Sequence, residues 1–157
     1  MALPGSIHRQ DGPAVRGSLE VHLLGLVDHA SCQALQERMA FDIAGRCDTQ
    51  GALLLCEHPP VITIGREGHA LDVLADERTL EACDMEVKWI ARGGGCCIHV
   101  PGQLAIYPIL PLDRLGISLP DYREGLESAV IDLCRELKVA AKRRPEVPGV
   151  WGRAGQI

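Results

Sequence analysis

Two adjacent prolines, Pro59 and Pro60, stand between two short apolar runs, Ala52 to Cys56 and Val61 to Ile64. Proline lacks a backbone N–H and fixes φ near about −65°, so neither residue can donate to a strand ladder or continue a helix. Runs this short read as two buried strands, and Glu57-His58-Pro59-Pro60 reads as a rigid bend between them.

The segments around the bend alternate between strand and helix. Leu19 to Leu26 partly alternates apolar and polar residues, as a strand does. A helical spacing of Cys32, Leu35, Met39 and Ile43 follows, with Asp28 placed as its N-cap and Gly45 as its stop. A short helix is expected around Ala75 to Ala82. A strand from Glu86 to Ala91 then leads straight into Arg92-Gly93-Gly94-Gly95, and another, from Gln103 to Leu110, leaves that loop. The strongest helical stripe is Tyr122, Leu126, Ala129, Val130, Leu133, Cys134 and Leu137, with Ser118 or Asp121 as cap and Glu124 placed for a capping box. Lys138 to Arg143 reads as a strand, and Pro148-Gly149-Val150-Trp151 opens a last segment. The fold class is α/β. Residues 1 to 18, rich in Gly, Pro and polar residues, are expected to form a flexible leader, with one domain over residues 19 to 157.

Composition excludes several classes of function. The 157 residues are 46% hydrophobic and 24% charged, as in a globular domain, but Phe41, Trp89, Trp151, Tyr107 and Tyr122 are the only aromatics, so the core must be aliphatic. The net charge is −5, and Lys142-Arg143-Arg144 is the densest basic stretch, which gives no phosphate-tracking face for nucleic acid. No run has the length of a signal peptide's apolar region or of a membrane span. The seven cysteines are odd in number and show no paired CxxC pattern. Reduced thiols in a cytoplasm fit these features.

The chemistry concentrates between Arg92 and Gln103. Consecutive glycines let backbone approach a ligand closely, a property suited to an acyl carbonyl, a phosphate or a carboxylate, although glycine runs are more often plain turns. Arg92 could hold an anion or form a surface ion pair. Cys97 and His99, two residues apart, share a face in extended chain, the minimum for a Cys/His nucleophile pair. No metal is expected here, because Cys96-Cys97-x-His99 offers three ligands in poor directions where zinc takes four. His58 either lines the same cleft or caps the bend. The glycines follow neither the Walker nor the GxGxxG spacing.

Taken together, Leu53 to Arg66 (LLLCEHPPVITIGR), Arg92-Gly93-Gly94, His99-Val100-Pro101-Gly102-Gln103-Leu104, Tyr107-Pro108-Ile109-Leu110 and Pro148-Gly149-Val150-Trp151 resemble, in order and spacing, the octanoyltransferases of lipoate biosynthesis. The resemblance runs from about Leu19 to Ile157. It implies the fold of lipoate and biotin protein ligases, a mixed sheet with helices packed on it and a substrate cleft beside the Arg-Gly-Gly loop. It further implies a cofactor-independent reaction: octanoyl moves from acyl carrier protein, through a thioester on an enzyme cysteine, to a lysine of a lipoyl domain. The acceptors would be lipoyl domains of 2-oxoacid dehydrogenases or the glycine cleavage H protein. By position, Arg92, Gly93, Gly94, Gly95, Cys96, Cys97, Ile98 and His99 would bind the substrate.

The departures from the family pattern bear on activity. Gly95, Cys96, Cys97, Ile98 and Val100 replace residues that include a Thr, a Tyr and a Gly in the substrate loop. Gln156 stands where the family places the lysine that favours the nucleophile's thiolate, and a neutral amide cannot lower a thiol pKa by charge. The family's nucleophilic cysteine belongs to a Pro-Cys-Gly segment, which this sequence does not contain. The expectation is therefore a domain incomplete at its C-terminus, with an unpaired strand edge that favours association. Two other readings stay open: a non-catalytic module binding acyl carrier protein or lipoyl domains, and an ATP-dependent lipoate ligase, whose version of the loop Gly93 to His99 (GGG-x-x-x-H) also resembles.

Overall fold

The computed structural model describes residues 17–145 and 147–157. The expected leader lies outside the described residues except for Gly17 and Ser18. The chain divides into two compact units, one ending at Pro111 and the other spanning Leu112–Ile157.

The first unit contains, in order, β1 (Leu19–Leu26), α1 (His29–Ala44), β2 (Gly51–Glu57), β3 (Val61–Ile64), α2 (Glu77–Ala82), β4 (Glu86–Trp89), β5 (Cys96–His99) and β6 (Ala105–Ile109). The proline bend delivers β2 and β3 to different three-stranded sheets, ordered β1-β2-β6 and β4-β3-β5. The sheets are built alike. In each, the central strand is parallel to a neighbour reached through a helix-bearing crossover, and antiparallel to a strand arriving later in the chain. Both are mixed, as the resemblance implied.

Burial follows that order. Ala52, Leu54 and Cys56 on β2, and Val61 and Ile64 on β3, are almost completely enclosed, joined by Cys32 and Ile43 from α1. The edge strands are open, and Pro108 is tolerated on β6 because that strand is an edge. Asp28 caps α1 by accepting from the Ser31 N–H, and Gly45 ends it, as expected. Asp76 caps α2 in the same way through Thr79.

One expectation is corrected here. The stretch from Arg92 to Gln103 is not a continuous loop, because Cys96–His99 pairs with β3 as a strand, Val61 opposite His99 and Ile64 opposite Cys96. Strand pairing with buried β3 overrides the weak intrinsic preference of a glycine- and cysteine-rich stretch.

The second unit holds α3 (Leu112–Leu115), α4 (Leu119–Glu136) and an antiparallel pair, β7 (Lys142–Arg144) and β8 (Val147–Trp151). Of the two possible caps, Ser118 serves, its Oγ accepting from the Asp121 N–H at 3.2 Å and donating to the Asp121 carboxylate at 2.6 Å. Asp121 is therefore inside the helix, and Glu124 forms no capping box; its carbonyl instead accepts from Ser128 and Arg143. Lys138, at φ 59°, breaks the run expected to be a strand from that residue, and β7 starts only at Lys142. The Glu127 carboxylate ties the unit together, accepting from the Gly149 N–H at 2.9 Å and from Arg143 Nε at 3.0 Å. Among the described residues, no helix is long and apolar enough to cross a membrane.

Candidate functional site

The sequence blocks on either side of the first unit's crossover meet at three places. Glu57, at the end of β2, accepts from the Gly102 N–H at 2.6 Å and so pins the Pro101-Gly102-Gln103 turn. His58 lies 5.4 Å, ring to ring and edge-on, from His99. Thr63 of β3, fully buried, anchors the Arg92 side chain.

Among the described residues Arg92 forms no ion pair; its guanidinium is bound by hydrogen bonds to β3 and the glycine loop. Its Nη2 donates to both the carbonyl and the hydroxyl of Thr63 at 2.8 Å, its Nε donates to the same hydroxyl at 3.3 Å, and its Nη1 donates to the Gly93 carbonyl at 3.0 Å. The guanidinium thus braces the glycine loop against β3, using the planar fork that a lysine lacks. The loop carbonyls are held from the same side: those of Arg92, Gly94 and Gly95 accept from Arg66, Glu67 and Gly65. This close approach explains Gly65, where a Cβ would collide with the carbonyl oxygens of Gly93 and Gly94. Within the loop, Gly94 needs its identity, at φ +76°, whereas a Cβ on Gly95 would meet nothing.

Beside the braced loop lies a cavity of about 460 Å³, within the range of roughly 300–1,000 Å³ usual for small-molecule sites. Ile90, Ala91 and Arg92 form one wall, His29, Gln33, Gln36 and the solvent-exposed Glu37 of α1 another, and Cys97, His99 and Tyr107 complete it. Cys97 and His99 share a face, as their spacing predicts. Cys96 and Ile98 are exposed and border a separate hollow of about 280 Å³ with Asp72 and Leu74. Gly93, Gly94 and Gly95 form the turn before β5.

The cavity is backed by a cluster of rings. His58, only 1% exposed, hydrogen-bonds the Val27 carbonyl through Nδ1 at 2.7 Å and the Tyr107 hydroxyl through Nε2 at 2.8 Å. It sits behind the lining. His29 is 5.1 Å from His58 and 5.4 Å from His99. Burial, with His29, His58 and the Arg92 cation nearby, lowers the His99 pKa to about 4, and burial followed by the neighbouring His58 ring lowers that of His29. Burial likewise raises the Tyr107 pKa above its usual value. At neutral pH the three groups are uncharged, and a neutral apolar ligand meets no desolvated ion except the pinned Arg92.

Neither Cys56 nor Gln156 offers an activated nucleophile. Burial, reinforced by Cys32, pushes the Cys56 thiol up to about 12, which keeps it protonated. Gln156 lies in the second unit with its side chain against Gly149, at φ +104°, and its amide donates to the Pro148 carbonyl at 3.4 Å.

Sequence reasoning missed His29, Gln33, Gln36 and Thr63. His29 follows the N-cap and so occupies the first turn of α1, facing the sheet, a position that the apolar-spacing test does not score. Thr63 passed as one more member of an apolar run.

Residues 28–156 match the lipoyl protein ligase A/B catalytic domain. The chain is 39% identical over 139 residues to an octanoyltransferase of Syntrophotalea carbinolica, covering 88% of this chain and 62% of that protein. It is 42% identical over 143 residues to the mitochondrial octanoyl-[acyl-carrier-protein]:protein N-octanoyltransferase of Xenopus tropicalis, covering 88% and 59%. The chain therefore spans less than two thirds of these relatives. Among solved structures, a lipoate protein ligase from Thermoplasma acidophilum with bound lipoic acid superposes with a TM-score of 0.63 at 15% identity, over 89% of this chain and 60% of that one. A bipartite ligase from the same organism gives 0.62 at 17%, over 90% and 53%. These likenesses concern the fold. By sequence over most of its length, the chain belongs to the lipoyl protein ligase A/B catalytic domain family.

Proposed function

We propose that this chain forms the acyl-binding part of an octanoyltransferase of lipoate biosynthesis, acting in the cytoplasm, with residues 19–157 contributing to one catalytic domain. The observation that carries this reading is the cavity of about 460 Å³ between α1 and the braced Arg92 loop, backed by neutral His29, His99 and Tyr107. An octanoyl group is an uncharged chain ending in a polar carbonyl. Uncharged rings accept such a chain without stranding a buried ion, and Arg92, Gly93, Gly94, Gly95, Cys96, Cys97, Ile98 and His99 supply the loop along which it lies. In the reaction served by this cradle, an enzyme thiolate attacks the carrier thioester, expelling the carrier thiol. The lysine amine of a lipoyl domain then attacks the enzyme thioester, forming an amide and releasing the enzyme thiol.

Titration with octanoyl-acyl carrier protein, against the same carrier bearing a free thiol, tests the cradle. Each buried methylene contributes about 0.8 kcal/mol, so burying even a few makes the octanoyl form bind more than about tenfold tighter. Equal affinities would refute the reading. Intact mass spectrometry of the same mixture is expected to show no octanoyl adduct, since the sequence contains no Pro-Cys-Gly segment.

A second reading, a binding module for the carrier or for lipoyl domains without chemistry, is supported by Gln156, whose amide supplies no charge to a thiol. Fusing the Pro-Cys-Gly-bearing segment of a relative after Ile157, with Gln156→Lys, separates the two. Octanoylation of a lipoyl domain by the fusion supports the transferase, and carrier binding without transfer supports the module.

A further inference from the structure

Behind the cavity, α1, β2 and the proline bend bring Cys32, Cys56 and His58 together, each at most 2% exposed. The two sulfurs are 3.8 Å apart, and Cys56 Sγ is 3.6 Å from His58 Nε2; all three atoms lie within 4.8 Å of one another. The carbonyl of Val27 can only accept, so His58 Nδ1 carries the hydrogen and Nε2 presents its lone pair to the sulfurs. That one lone pair faces two donors, the Tyr107 hydroxyl and the Cys56 thiol. Cys32 adds a third hydrogen to the cluster and already receives the Gln36 side-chain amide at 3.5 Å. The crowding is at His58 Nε2, where two hydrogens meet one lone pair.

We propose that Cys32, Cys56 and His58 bind one zinc ion, a site separate from the substrate loop. Two sulfurs about 2.3 Å from a tetrahedral zinc lie about 3.8 Å apart, and a sulfur and an imidazole nitrogen about 3.6 Å apart; the Cys32–Cys56 and Cys56–His58 pairs have these separations, and Cys32 Sγ lies within 4.8 Å of His58 Nε2. Zinc takes such Cys2His sets with a fourth, open position. The oxygen placed next to that position is the Tyr107 hydroxyl, 2.8 Å from Nε2. Each thiol releases its proton as its sulfur binds, so two thiolates, one neutral imidazole and Zn2+ carry no net charge, which the buried location requires. Val27 and Gln36 support the ligands from outside, fixing the imidazole tautomer and donating to a thiolate. The ion staples α1 to the end of β2. It holds His58 against His99 and Tyr107 at the back of the cavity.

The test uses the whole chain stripped of metal by a chelator, then titrated with Zn2+ alone and with Co2+ alone. One equivalent of zinc is expected, with a raised Tm, and cobalt is expected to give thiolate charge-transfer absorption. The exposed or half-buried thiols Cys47, Cys83, Cys96 and Cys97 are then replaced together by serine, which is expected to leave both signals intact. Adding Cys56→Ser to that background lowers zinc affinity by at least about 100-fold. If this last variant does not fold, cobalt absorption in the four-serine variant still decides. No metal uptake, uptake that disappears with the four exposed thiols, or a Cys32–Cys56 disulfide in the isolated chain would each overturn the proposal.

Discussion

A glycine is informative through its φ and through what a Cβ there would touch. In the first unit these criteria keep Gly94 of the Gly93-Gly94-Gly95 run and add Gly65, at the end of the neighbouring strand. Gly65→Ala pushes a methyl into the carbonyls of Gly93 and Gly94, and overpacking of this kind costs about 1–3 kcal/mol. Gly95→Ala meets nothing and should stay within about 0.5 kcal/mol of the parent. Urea unfolding midpoints of the two variants check the contrast; equal midpoints would show that the loop yields to the methyl. His99 gives a second prediction at this scale. Its pKa falls from 6.5 to about 4 on folding, so the unfolded chain binds more protons between those values. The stability tied to neutral His99 is present above about pH 6.5 and disappears as the pH falls through about 4. The lowered pKa of His29 acts in the same direction. Tm is expected to drop across this window, and His99→Gln is expected to flatten the drop without removing it.

At the scale of elements, the contacts between sequence blocks decide the site. The Glu57 carboxylate holds the Gly102 N–H at 2.6 Å and thereby sets where β5 ends and the chain turns towards β6. Glu57→Gln keeps an acceptor oxygen but loses the charge that strengthens the bond. The Gly102 amide should then exchange hydrogen faster while the amides of β2 keep their protection; unchanged exchange at Gly102 would show that the turn holds itself. Much of this scale was legible in the sequence. Apolar spacing marks α1 and α4, and the proline pair marks β2 and β3, because burial on one face leaves a periodic trace. The strand character of Cys96–His99 leaves none, since it comes from pairing with a distant β3. The same holds for the site. Arg92, Cys97 and His99 could be named as candidates from spacing, but Arg92's attachment to Thr63 and the convergence of His29, His58 and Tyr107 depend on register between strands far apart in the chain. Sequence order alone does not encode these contacts.

At the scale of the molecule, the buried centre of each sheet contrasts with its edges. Among the strands of the first unit, the central β2 and β3 carry the enclosed side chains, while β1 and β4 are edge strands with exposed apolar residues. On β1, Val21 is 53% and Leu23 80% exposed, and on β4, Trp89 is 63% exposed. An edge offers unpaired N–H and C=O groups to any other strand, and apolar side chains beside it supply the driving force for pairing. The net charge of −5 is too small to hold copies of a 157-residue chain apart at physiological salt, where repulsion fades beyond about 8 Å. The isolated chain is therefore expected to sediment as dimers or larger species at micromolar concentration. Leu23→Lys and Trp89→Lys place a charge on each apolar edge, and the double variant should sediment as a monomer with little change in its unfolding midpoint, because both side chains are largely in solvent already. If the parent chain sediments as a monomer across the same concentrations, these edges are protected without a partner. If the double variant still associates, the contact lies elsewhere on the surface.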